Sequence, residues 1–211
     1  MNINSYPNVR FTREDSAILF VDHQVGLILG VHDQDQETLR RNVVALARAA
    51  KAYGLPVVLT TSADNGPNGP ILPELAAELP GAPLIQRPGE IDAFDNPDFA
   101  ATVKATGRKN LIISGISTDV CVTFAALSAV AAGYDVQAIL DASGTWSRLA
   151  AEASVIRMRD AGVTVNSTVA VTAELQMDWR KPGGEVLGGI YSDKAIPFYG
   201  SLIAMTYRDT K

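Results

Sequence analysis

Three side chains that could perform nucleophilic chemistry follow three apolar runs of this sequence. Asp22 comes directly after five consecutive apolar residues, Arg87 comes shortly after a Leu-Ile pair, and Cys121 lies about one helical turn beyond a third apolar run. A deprotonated thiol is a nucleophile, a carboxylate can take its proton, and a guanidinium can stabilise negative charge beside them. If the runs are strands of one parallel sheet, their carboxyl ends bring the three groups into one crevice.

Cys121 is the single cysteine of the chain, and we expect it near the first turn of a helix that begins at about Asp119. The unpaired N–H groups and the positive dipole end of a helix N-terminus favour a thiolate, so we expect a lowered thiol pKa. A lone cysteine is more often a small buried hydrophobic residue, and on residue type alone that structural role is favoured. The position beyond a strand end favours catalysis.

Asp22 and Arg87 each have a structural alternative as well. An isolated aspartate after a strand commonly caps a loop, and an arginine before a proline is commonly a surface cation with a solvated head group. In the functional hypothesis, Asp22 is the general base for Cys121, and Arg87 keeps Asp22 ionised. The sequence leaves both pairs of roles open.

Continuous apolar runs alternate with segments of helical periodicity along the chain. The runs are typical of strands buried on both faces, and they cover residues 17–21, 57–60, 84–85, 111–113, 136–140 and 163–165. Helices are expected at 37–53, 97–106, 119–132, 149–161 and 170–177. This alternation predicts an α/β fold: a doubly wound, mostly parallel six-stranded sheet with helices on both faces, a Rossmann-like three-layer α/β/α arrangement.

Two helix starts have specific signals. Asn96, Pro97 and Asp98 supply an N-cap, a proline in the first turn and an acidic residue, so we expect a helix to begin there. Thr118 is expected to cap the helix that carries Cys121. These starts place Cys121 beside a strand end rather than in the middle of a helix.

The C-terminal part of the chain differs from the rest. Residues 1–180 fit one domain, and residues 181–211 form an extension with paired glycines, two prolines and an apolar or aromatic set consisting of Ile190, Tyr191, Phe198, Tyr199 and Tyr207. An extension of this length cannot form its own core. We therefore expect it to pack on the domain or on a neighbouring subunit.

Composition narrows the classes of partner. Of the 211 residues, 47% are hydrophobic and 19% charged, the balance of a compact globular chain, and the net charge is −5. The absence of a basic run argues against nucleic acid and anionic membranes as partners, and no segment is long and apolar enough to span a bilayer. One cysteine excludes an intramolecular disulfide and favours a reducing compartment, so we expect a cytoplasmic protein.

Three segments of the sequence resemble the isochorismatase-like cysteine hydrolases, a superfamily that includes nicotinamidases and N-carbamoylsarcosine amidohydrolases. They are Ala-Ile-Leu-Phe-Val-Asp-His-Gln (17–24), Arg-Pro-Gly-Glu-Ile-Asp-Ala-Phe (87–94) and Ser-Gly-Ile-Ser-Thr-Asp-Val-Cys-Val (114–122). The loop at 61–70, the Asp-Ala-Ser-Gly-Thr segment at 141–145 and the glycine-rich, aromatic tail are most similar to the YcaC-type hydrolases of that superfamily.

The resemblance implies a cysteine-aspartate-lysine triad, with Cys121 and Asp22 in two of the positions and Arg87 where the family has lysine. An arginine supplies positive charge but hardly acts as an acid or base. The resemblance also implies a non-proline cis peptide at Ile116-Ser117, which would aim backbone N–H groups at an oxyanion. The expected oxyanion donors are the backbone groups of Ser117, Thr118 and Cys121.

The resemblance also indicates which residues line the substrate pocket and whether a cofactor is needed. Phe94, Gln24 and Trp146 are candidate substrate-pocket residues, and for Phe94 a role as a core aromatic is as well supported. Nicotinamidases bind a metal through an Asp-x-His element, but the corresponding loop here has the sequence Ser-Ala-Asp-Asn-Gly-Pro. We therefore expect no catalytic metal and no other cofactor, and interpret His23 and His32 as ordinary side chains.

Together these features predict a cysteine-dependent hydrolase of a small amide or carbamoyl compound, acting through a thioester or thiocarbamate intermediate. Two other classes stay open: a non-hydrolytic thiol protein that senses oxidants, and an assembly protein whose site has decayed. By resemblance, the chain is expected to form a homo-oligomer, an octamer of two stacked tetramers. The physiological substrate does not follow from the sequence.

Overall fold

The structure is a computed structural model that describes residues 10–206. Its strands are β1 (Ser16–Val21), β2 (Val57–Ser62), β3 (Leu84–Arg87), β4 (Asn110–Gly115), β5 (Asp135–Ile139) and β6 (Thr164–Asn166). The α-helices are α1 (Val25–Ile28), α2 (Gln36–Tyr53), α3 (Pro73–Glu78), α4 (Pro97–Ala105), α5 (Thr123–Ala131), α6 (Arg148–Asp160), α7 (Thr168–Gln176), α8 (Gly184–Ile190) and α9 (Pro197–Thr206). Short 3-10 turns cover Ala93–Asp95 and Leu140–Ala142, and π turns cover Thr118–Val122 and Tyr191–Ala195.

The strands form one six-stranded sheet in the order β3-β2-β1-β4-β5-β6, and every pairing is parallel. The chain moves outward from β1 in one direction and from β4 in the other. The predicted doubly wound α/β fold is therefore confirmed. The switch in strand order falls between β1 and β4, which is where open parallel sheets carry their ligand crevices.

Alternate residues of the central strands face two separate apolar layers. Ile18 and Phe20 of β1 join one layer, which is covered by α2, α3 and α7. Leu19 and Val21 join the other, which is covered by α4, α5 and α6. Because both faces are covered, the strands are continuous apolar runs rather than alternating ones, as the sequence indicates.

Capping residues set several helix boundaries. The Asp35 side chain accepts a hydrogen bond from the Thr38 N–H at 2.7 Å at the start of α2, and Gly54 ends that helix with a φ of 63°. Asn96 accepts from the Asp98 and Phe99 N–H groups at the start of α4, as predicted. Among residues 10–206, no helix combines the length and apolar character needed to cross a membrane.

Two local predictions are wrong. Thr118 does not cap a regular α-helix, because it is the first residue of the π turn Thr118–Val122, and α5 begins only at Thr123. Strand β3 extends to Arg87 rather than ending at Ile85, since its pairing with β2 continues through Ser62. Cys121 therefore lies in the π turn, and Arg87 lies at the end of a strand.

The C-terminal extension is attached to the domain through α8 and the π turn that follows it. Ile190 packs with Ala45 and Ala49 of α2, and the Tyr191 hydroxyl donates to the Val169 carbonyl oxygen at 2.8 Å. Helix α9 has no buried residue. Tyr207, in the predicted aromatic set, lies outside the described residues.

Candidate active site

The crevice at the carboxyl ends of β1 and β4 brings two of the predicted residues together. Asp22 is the first residue after β1, and Cys121 lies in the π turn that begins three residues after β4. Arg87 belongs to β3, which is separated from β1 by β2. Its long side chain passes the end of β2 to reach Asp22, so the site depends on three strands.

Asp22 is fully buried and has a φ of 56°, which is uncommon outside glycine and somewhat better tolerated by aspartate. Its backbone N–H donates to the Thr60 carbonyl oxygen at 3.0 Å, which continues the pairing of β1 with β2 by one residue. The left-handed turn ends the strand at this point. The carboxylate is consequently held by the rigid end of the sheet rather than by a loop.

Arg87 is 2% exposed, and each of its three guanidinium nitrogens has a partner. The Nε group donates to the Thr60 hydroxyl at 2.9 Å, and one terminal nitrogen donates to the Glu90 carbonyl oxygen. The other terminal nitrogen donates to both carboxylate oxygens of Asp22, at 2.6 and 2.5 Å. The structural alternative of a solvated surface arginine is therefore excluded, and the guanidinium is a buried counter-ion for Asp22.

Two opposing effects set the protonation of Asp22. Burial raises the pKa of Asp22 above its ordinary value and is the larger effect. The positive charge and hydrogen bonds of Arg87 lower that pKa, as the sequence predicts, and the hydrogen bond with the Cys121 thiol lowers it as well. Asp22 is therefore a stronger base than an exposed aspartate.

Cys121 is half-buried and lies beside the Asp22 carboxylate. Burial raises the pKa of Cys121 to about 12, and the charge and hydrogen bonding of Asp22 act in the same direction. A hydrogen bond from the Ser117 backbone and the charge of Arg87 lower the pKa by less. The predicted stabilised thiolate is wrong, because burial and a neighbouring carboxylate outweigh the turn's N–H groups.

Three backbone N–H groups were predicted as oxyanion donors, and one of them, that of Thr118, already has a partner within the protein. The Ile116-Ser117 peptide is cis, as the resemblance implies, and the Ser117 backbone hydrogen-bonds to the thiol. The Thr118 N–H donates instead to the Gly144 carbonyl oxygen at 2.9 Å. This N–H is already used within the protein, so Thr118 does not serve as an oxyanion donor.

Gln24 was predicted to line the substrate pocket, but its side chain is hydrogen-bonded to the backbone elsewhere. Its Nε2 group donates to the carbonyl oxygens of Ser62 and Gly69, at 3.1 and 2.6 Å, and its Oε1 atom accepts from the Ser62 N–H at 2.9 Å. The residue is fully buried. Its amide therefore holds both ends of the loop after β2 and is not directed at a substrate.

The two aromatic candidates occupy different surroundings. Phe94 is half-buried, packs edge-on against Phe99 with ring centroids 5.3 Å apart, and joins the same apolar layer as Cys121. Trp146 is 43% exposed, and its ring covers Gly30, where an added Cβ would lie 2.6 Å from the indole. Phe94 has the contacts of a core aromatic, and Trp146 lies at the protein surface beside α1.

His23 was interpreted as an ordinary side chain from the sequence, but it is a buried, hydrogen-bonded neighbour of Asp22. It is fully buried, and its Nε2 group lies 2.8 Å from the Ala142 carbonyl oxygen, which can only accept, so Nε2 carries the proton. Burial lowers the pKa of His23 to about 4, so the ring is neutral. The polar sequence Asp-His-Gln directly after a buried strand was the available signal.

Metal-ligating residues are dispersed in the part of the chain that the structure describes. Within residues 10–206, His, Cys, Asp and Glu side chains form no group of three or more that could hold a metal ion. Asp64, in the loop that corresponds to the nicotinamidase metal element, accepts hydrogen bonds from Gln86 at 2.6 Å and from Thr61 at 3.2 Å.

Comparison with known proteins agrees with this arrangement. A model of the isochorismatase domain matches residues 16–170, which include Asp22, Arg87 and Cys121. The chain belongs to the isochorismatase family. The resemblance found in the sequence is thereby confirmed, and the chain is an isochorismatase-family hydrolase.

Several members of the isochorismatase family are similar to this chain over nearly its whole length. The probable hydrolase YcaC of Escherichia coli K12 is 46% identical over 204 residues, which cover 97% of this chain and 96% of YcaC. A structure of YcaC from Pseudomonas aeruginosa with hexane-2,5-diol and covalent acrylamide is 45% identical, with a TM-score of 0.91 over 96% of this chain and 99% of that one. The E. coli YcaC crystal structure, an octameric hydrolase of unknown specificity, is 47% identical, with a TM-score of 0.91 over 98% and 99% of the two chains.

Proposed function

We propose that this protein hydrolyses a small amide or carbamoyl compound, with Cys121 as the nucleophile and Asp22 as the general base. The observation that carries the proposal is the Asp22 carboxylate, held by Arg87 on one side and facing the Cys121 thiol on the other. A base positioned on a thiol is the arrangement that activates a nucleophile which is neutral at rest.

In the first step, the Cys121 sulfur attacks the carbonyl carbon of the substrate while the thiol proton moves to Asp22. The resulting oxyanion is stabilised by the backbone N–H group of Cys121 and by that of Ser117, which the sulfur releases when it bonds to the carbonyl carbon. Collapse of the tetrahedral intermediate breaks the carbon–nitrogen bond, and Asp22 returns the proton to the departing nitrogen. Ammonia or an amine leaves, and a thioester or thiocarbamate remains on Cys121.

In the second step, water attacks the acyl carbon, and Asp22 takes a proton from it. The carbon–sulfur bond breaks, and the proton returns to the sulfur, so that the acid product leaves and the thiol is restored. The same carboxylate therefore serves both steps. Arg87 keeps its charge throughout and moves no proton, because a guanidinium does not deprotonate in a protein.

The raised pKa of Cys121 determines how this mechanism must operate. A thiol whose pKa is about 12 is almost entirely protonated at neutral pH, so a preformed thiolate cannot account for its attack. In the proposed mechanism, proton transfer to Asp22 therefore accompanies formation of the carbon–sulfur bond. This property argues against a redox sensor, since sensor cysteines have low pKa values.

The chemistry of a relative gives independent support. The P. aeruginosa YcaC structure holds covalent acrylamide, a small amide whose electrophilic double bond adds to nucleophiles such as thiols. In this chain, Cys121 is the single thiol and lies within the matched isochorismatase domain. A pocket that accepts a small amide beside a nucleophile fits the proposed substrate class.

The proposal is tested by ammonia release from a panel of small amides and carbamoyl compounds. The full-length protein should turn over at least one member of the panel, and Cys121→Ala should reduce that rate to the uncatalysed background. Lys51→Ala, which changes an exposed residue of α2 remote from the crevice, is the matched control and should keep the wild-type rate. Unchanged ammonia release by Cys121→Ala would exclude cysteine catalysis.

We also propose that the chain assembles into a homo-octamer. The supporting observations are the octameric E. coli relative, at 47% identity, and the exposed apolar side chains of α9. Exposed apolar surface on a helix is typical of an interface, and a second copy of the chain would bury the apolar side chains of α9.

A cytoplasmic location and a small-molecule substrate are parts of the same proposal. A half-buried thiol beside its base retains its function in a reducing compartment, which protects it from oxidation. The net charge of −5 gives no attraction to phosphate backbones, so we assign no role to nucleic acid or to a membrane surface.

A further inference from the structure

The segment Ala142–Thr145, which follows β5, contacts the residue next to the base on one side and the chain around the nucleophile on the other. On the side of the base, His23 is the residue next to Asp22, and its Nε2 group donates to the Ala142 carbonyl oxygen at 2.8 Å. Since 119 residues separate His23 and Ala142 in the chain, this hydrogen bond joins distant parts of the sequence. It fixes the end of β1, and with it Asp22, to the segment.

On the side of the nucleophile, the same segment makes several contacts with the chain around Cys121. The Gly115 N–H donates to the Ser143 hydroxyl oxygen at 3.1 Å, and the Gly144 N–H donates to the Gly115 carbonyl oxygen at 3.2 Å. The Thr145 hydroxyl donates to Asp119 Oδ1 at 2.7 Å. These contacts begin at the end of β4 and reach into the π turn that holds the thiol.

Burial and hydrogen bonds hold the segment Ala142–Thr145 in one position, so that it can fix the positions of the residues that it contacts. Ser143 and Thr145 are fully buried, and the Ser143 hydroxyl donates to the Ile139 carbonyl oxygen at 2.7 Å, which directs its lone pairs towards Gly115. The Thr145 N–H donates to Asp33 at 2.8 Å. A Cβ atom at Gly144 would lie 2.8 Å from the Val31 side chain, so the backbone has no room to shift towards Val31.

We propose that Ala142–Thr145 is a positioning clamp that sets the distance between the Asp22 carboxylate and the Cys121 sulfur, with His23, Ser143 and Thr145 as positioning residues. The proposal rests on the proposed function, because it concerns the geometry of the same base and nucleophile. The clamp acts on both partners at once: His23 holds the strand end that carries the base, and Thr145 holds the turn that carries the thiol.

The clamp is tested on Thr145, where a close substitute removes the hydroxyl. Thr145→Val keeps the shape but breaks the hydrogen bond to Asp119, whereas Thr145→Ser keeps the hydroxyl and is the matched control. The readout is the rate at which iodoacetamide alkylates Cys121 between pH 6 and pH 10. Sulfur displaces iodide in this reaction, and Asp22 takes the thiol proton, so the neutral-pH rate reports the distance between base and sulfur.

We expect Thr145→Val to alkylate about tenfold more slowly than wild type at pH 7, and Thr145→Ser to retain the wild-type rate, since small misplacements of reacting groups cost rate steeply. Asp119→Ala removes the other partner of the same hydrogen bond, at a half-exposed position. It should show the same slower alkylation, and it replaces Thr145→Val if that variant does not fold. Circular dichroism selects the folded variants. Folded Thr145→Val or Asp119→Ala protein with the wild-type alkylation profile would overturn the clamp.

Asp22→Asn separates failure of the clamp from failure of the proposed function. If Asp22 is the base, this variant loses the neutral-pH alkylation rate whatever the clamp does. A neutral-pH rate at or above that of wild type for Asp22→Asn would contradict the proposed function itself. A lowered neutral-pH rate for Asp22→Asn together with an unchanged profile for Thr145→Val would contradict only the clamp.

Discussion

At the scale of single residues, the hydrogen bonds of Arg87 show what an arginine does at the position where the sequence resemblance implies a lysine. One guanidinium contacts Thr60, the Glu90 carbonyl and both oxygens of Asp22 from inside the protein. An ammonium group offers donors from a single atom and cannot reproduce this spread. Arg87 is therefore bound to its neighbours more firmly than a lysine would be, while supplying the same charge.

We expect loss of the Arg87 charge to destabilise the protein more than loss of its shape. Arg87→Met leaves Asp22 buried without a counter-ion and should lower the free energy of unfolding by about 3–5 kcal/mol, whereas Arg87→Lys keeps a positive charge and should cost less. Urea unfolding at pH 7 measures both variants. Equal stability of Arg87→Met and Arg87→Lys would show that the ion pair has no such importance.

His23 should give the protein a stability that depends on pH. The native pKa of His23 is about 4, below its ordinary value of 6.5, so the unfolded chain binds a proton that the native protein does not as pH falls. The stability contribution is therefore present above pH 6.5 and is lost towards pH 4. Between pH 7 and pH 5 we expect a loss of about 2 kcal/mol.

His23→Gln supplies the control for this titration, because glutamine keeps a donor for the Ala142 carbonyl but does not titrate. The difference between wild type and His23→Gln in the free energy of unfolding, measured at pH 7 and at pH 5, isolates the His23 contribution from that of the acidic residues. A difference that is the same at both values of pH would mean that His23 titrates normally in the native protein.

At the scale of elements, the loop at residues 63–69 depends on a side chain from outside it. Gln24 hydrogen-bonds to the N–H and carbonyl groups of Ser62 at the end of β2 and to the Gly69 carbonyl oxygen, and the Gly26 N–H donates to the Asn68 carbonyl oxygen at 2.9 Å. Because Gln24 follows Asp22 by two residues, the loop is attached to the same strand end as the base. Its position is thus coupled to the catalytic strand.

We expect Gln24→Ala to release this loop. The substitution removes three partly buried hydrogen bonds and leaves the Ser62 N–H and the Gly69 carbonyl oxygen without their Gln24 partner, so the stability cost should exceed about 2 kcal/mol. Hydrogen exchange measured by mass spectrometry should become at least about tenfold faster in peptides that cover residues 62–70. Peptides from α5 serve as the internal control, and an unchanged rate in the loop would contradict the role given to Gln24.

At the scale of the whole molecule, the C-terminal extension has two parts with different properties. The first part is fastened to the domain, since Arg13 donates to the carbonyl oxygens of Leu175 and Pro182, at 3.0 and 3.1 Å, and lies over the Tyr53 ring. The second part, α9, leaves Phe198 64% and Met205 70% exposed. The contacts of the first part fix the position from which α9 extends, and α9 carries the exposed apolar surface of the extension.

We expect the apolar side of α9 to support assembly. The double variant Phe198→Ser with Leu202→Ser should reduce the molar mass in solution from eight times the 22.4 kDa chain mass to a smaller assembly. Light scattering measures the mass directly. Val186→Ser changes an exposed apolar residue of α8 and should leave the assembly intact. An undiminished mass for the double variant would exclude α9 from the interface.

The alternation of apolar runs and helical segments was sufficient to predict the fold class, because strands buried on both faces leave a continuous apolar signal. It located Asp22 at a strand end and identified the helix start at Asn96. Strand ends and turn conformations were predicted less well. The extension of β3 to Arg87 depends on pairing with β2, and the π turn at Cys121 depends on contacts with a segment distant in sequence.

The sequence by itself determined the fold class and the family and singled out Asp22, Arg87 and Cys121 as candidates, since those follow from local patterns and motif residues. Only the tertiary structure decided the protonation of Cys121, the use of the Thr118 N–H, the role of Gln24 and the importance of His23. Each of these depends on burial or on a hydrogen-bond partner distant in the chain, and neither is visible in a local pattern. A pKa or an unpaired donor is a property of the folded environment, because desolvation and neighbouring charges exist only after the distant segments have come together.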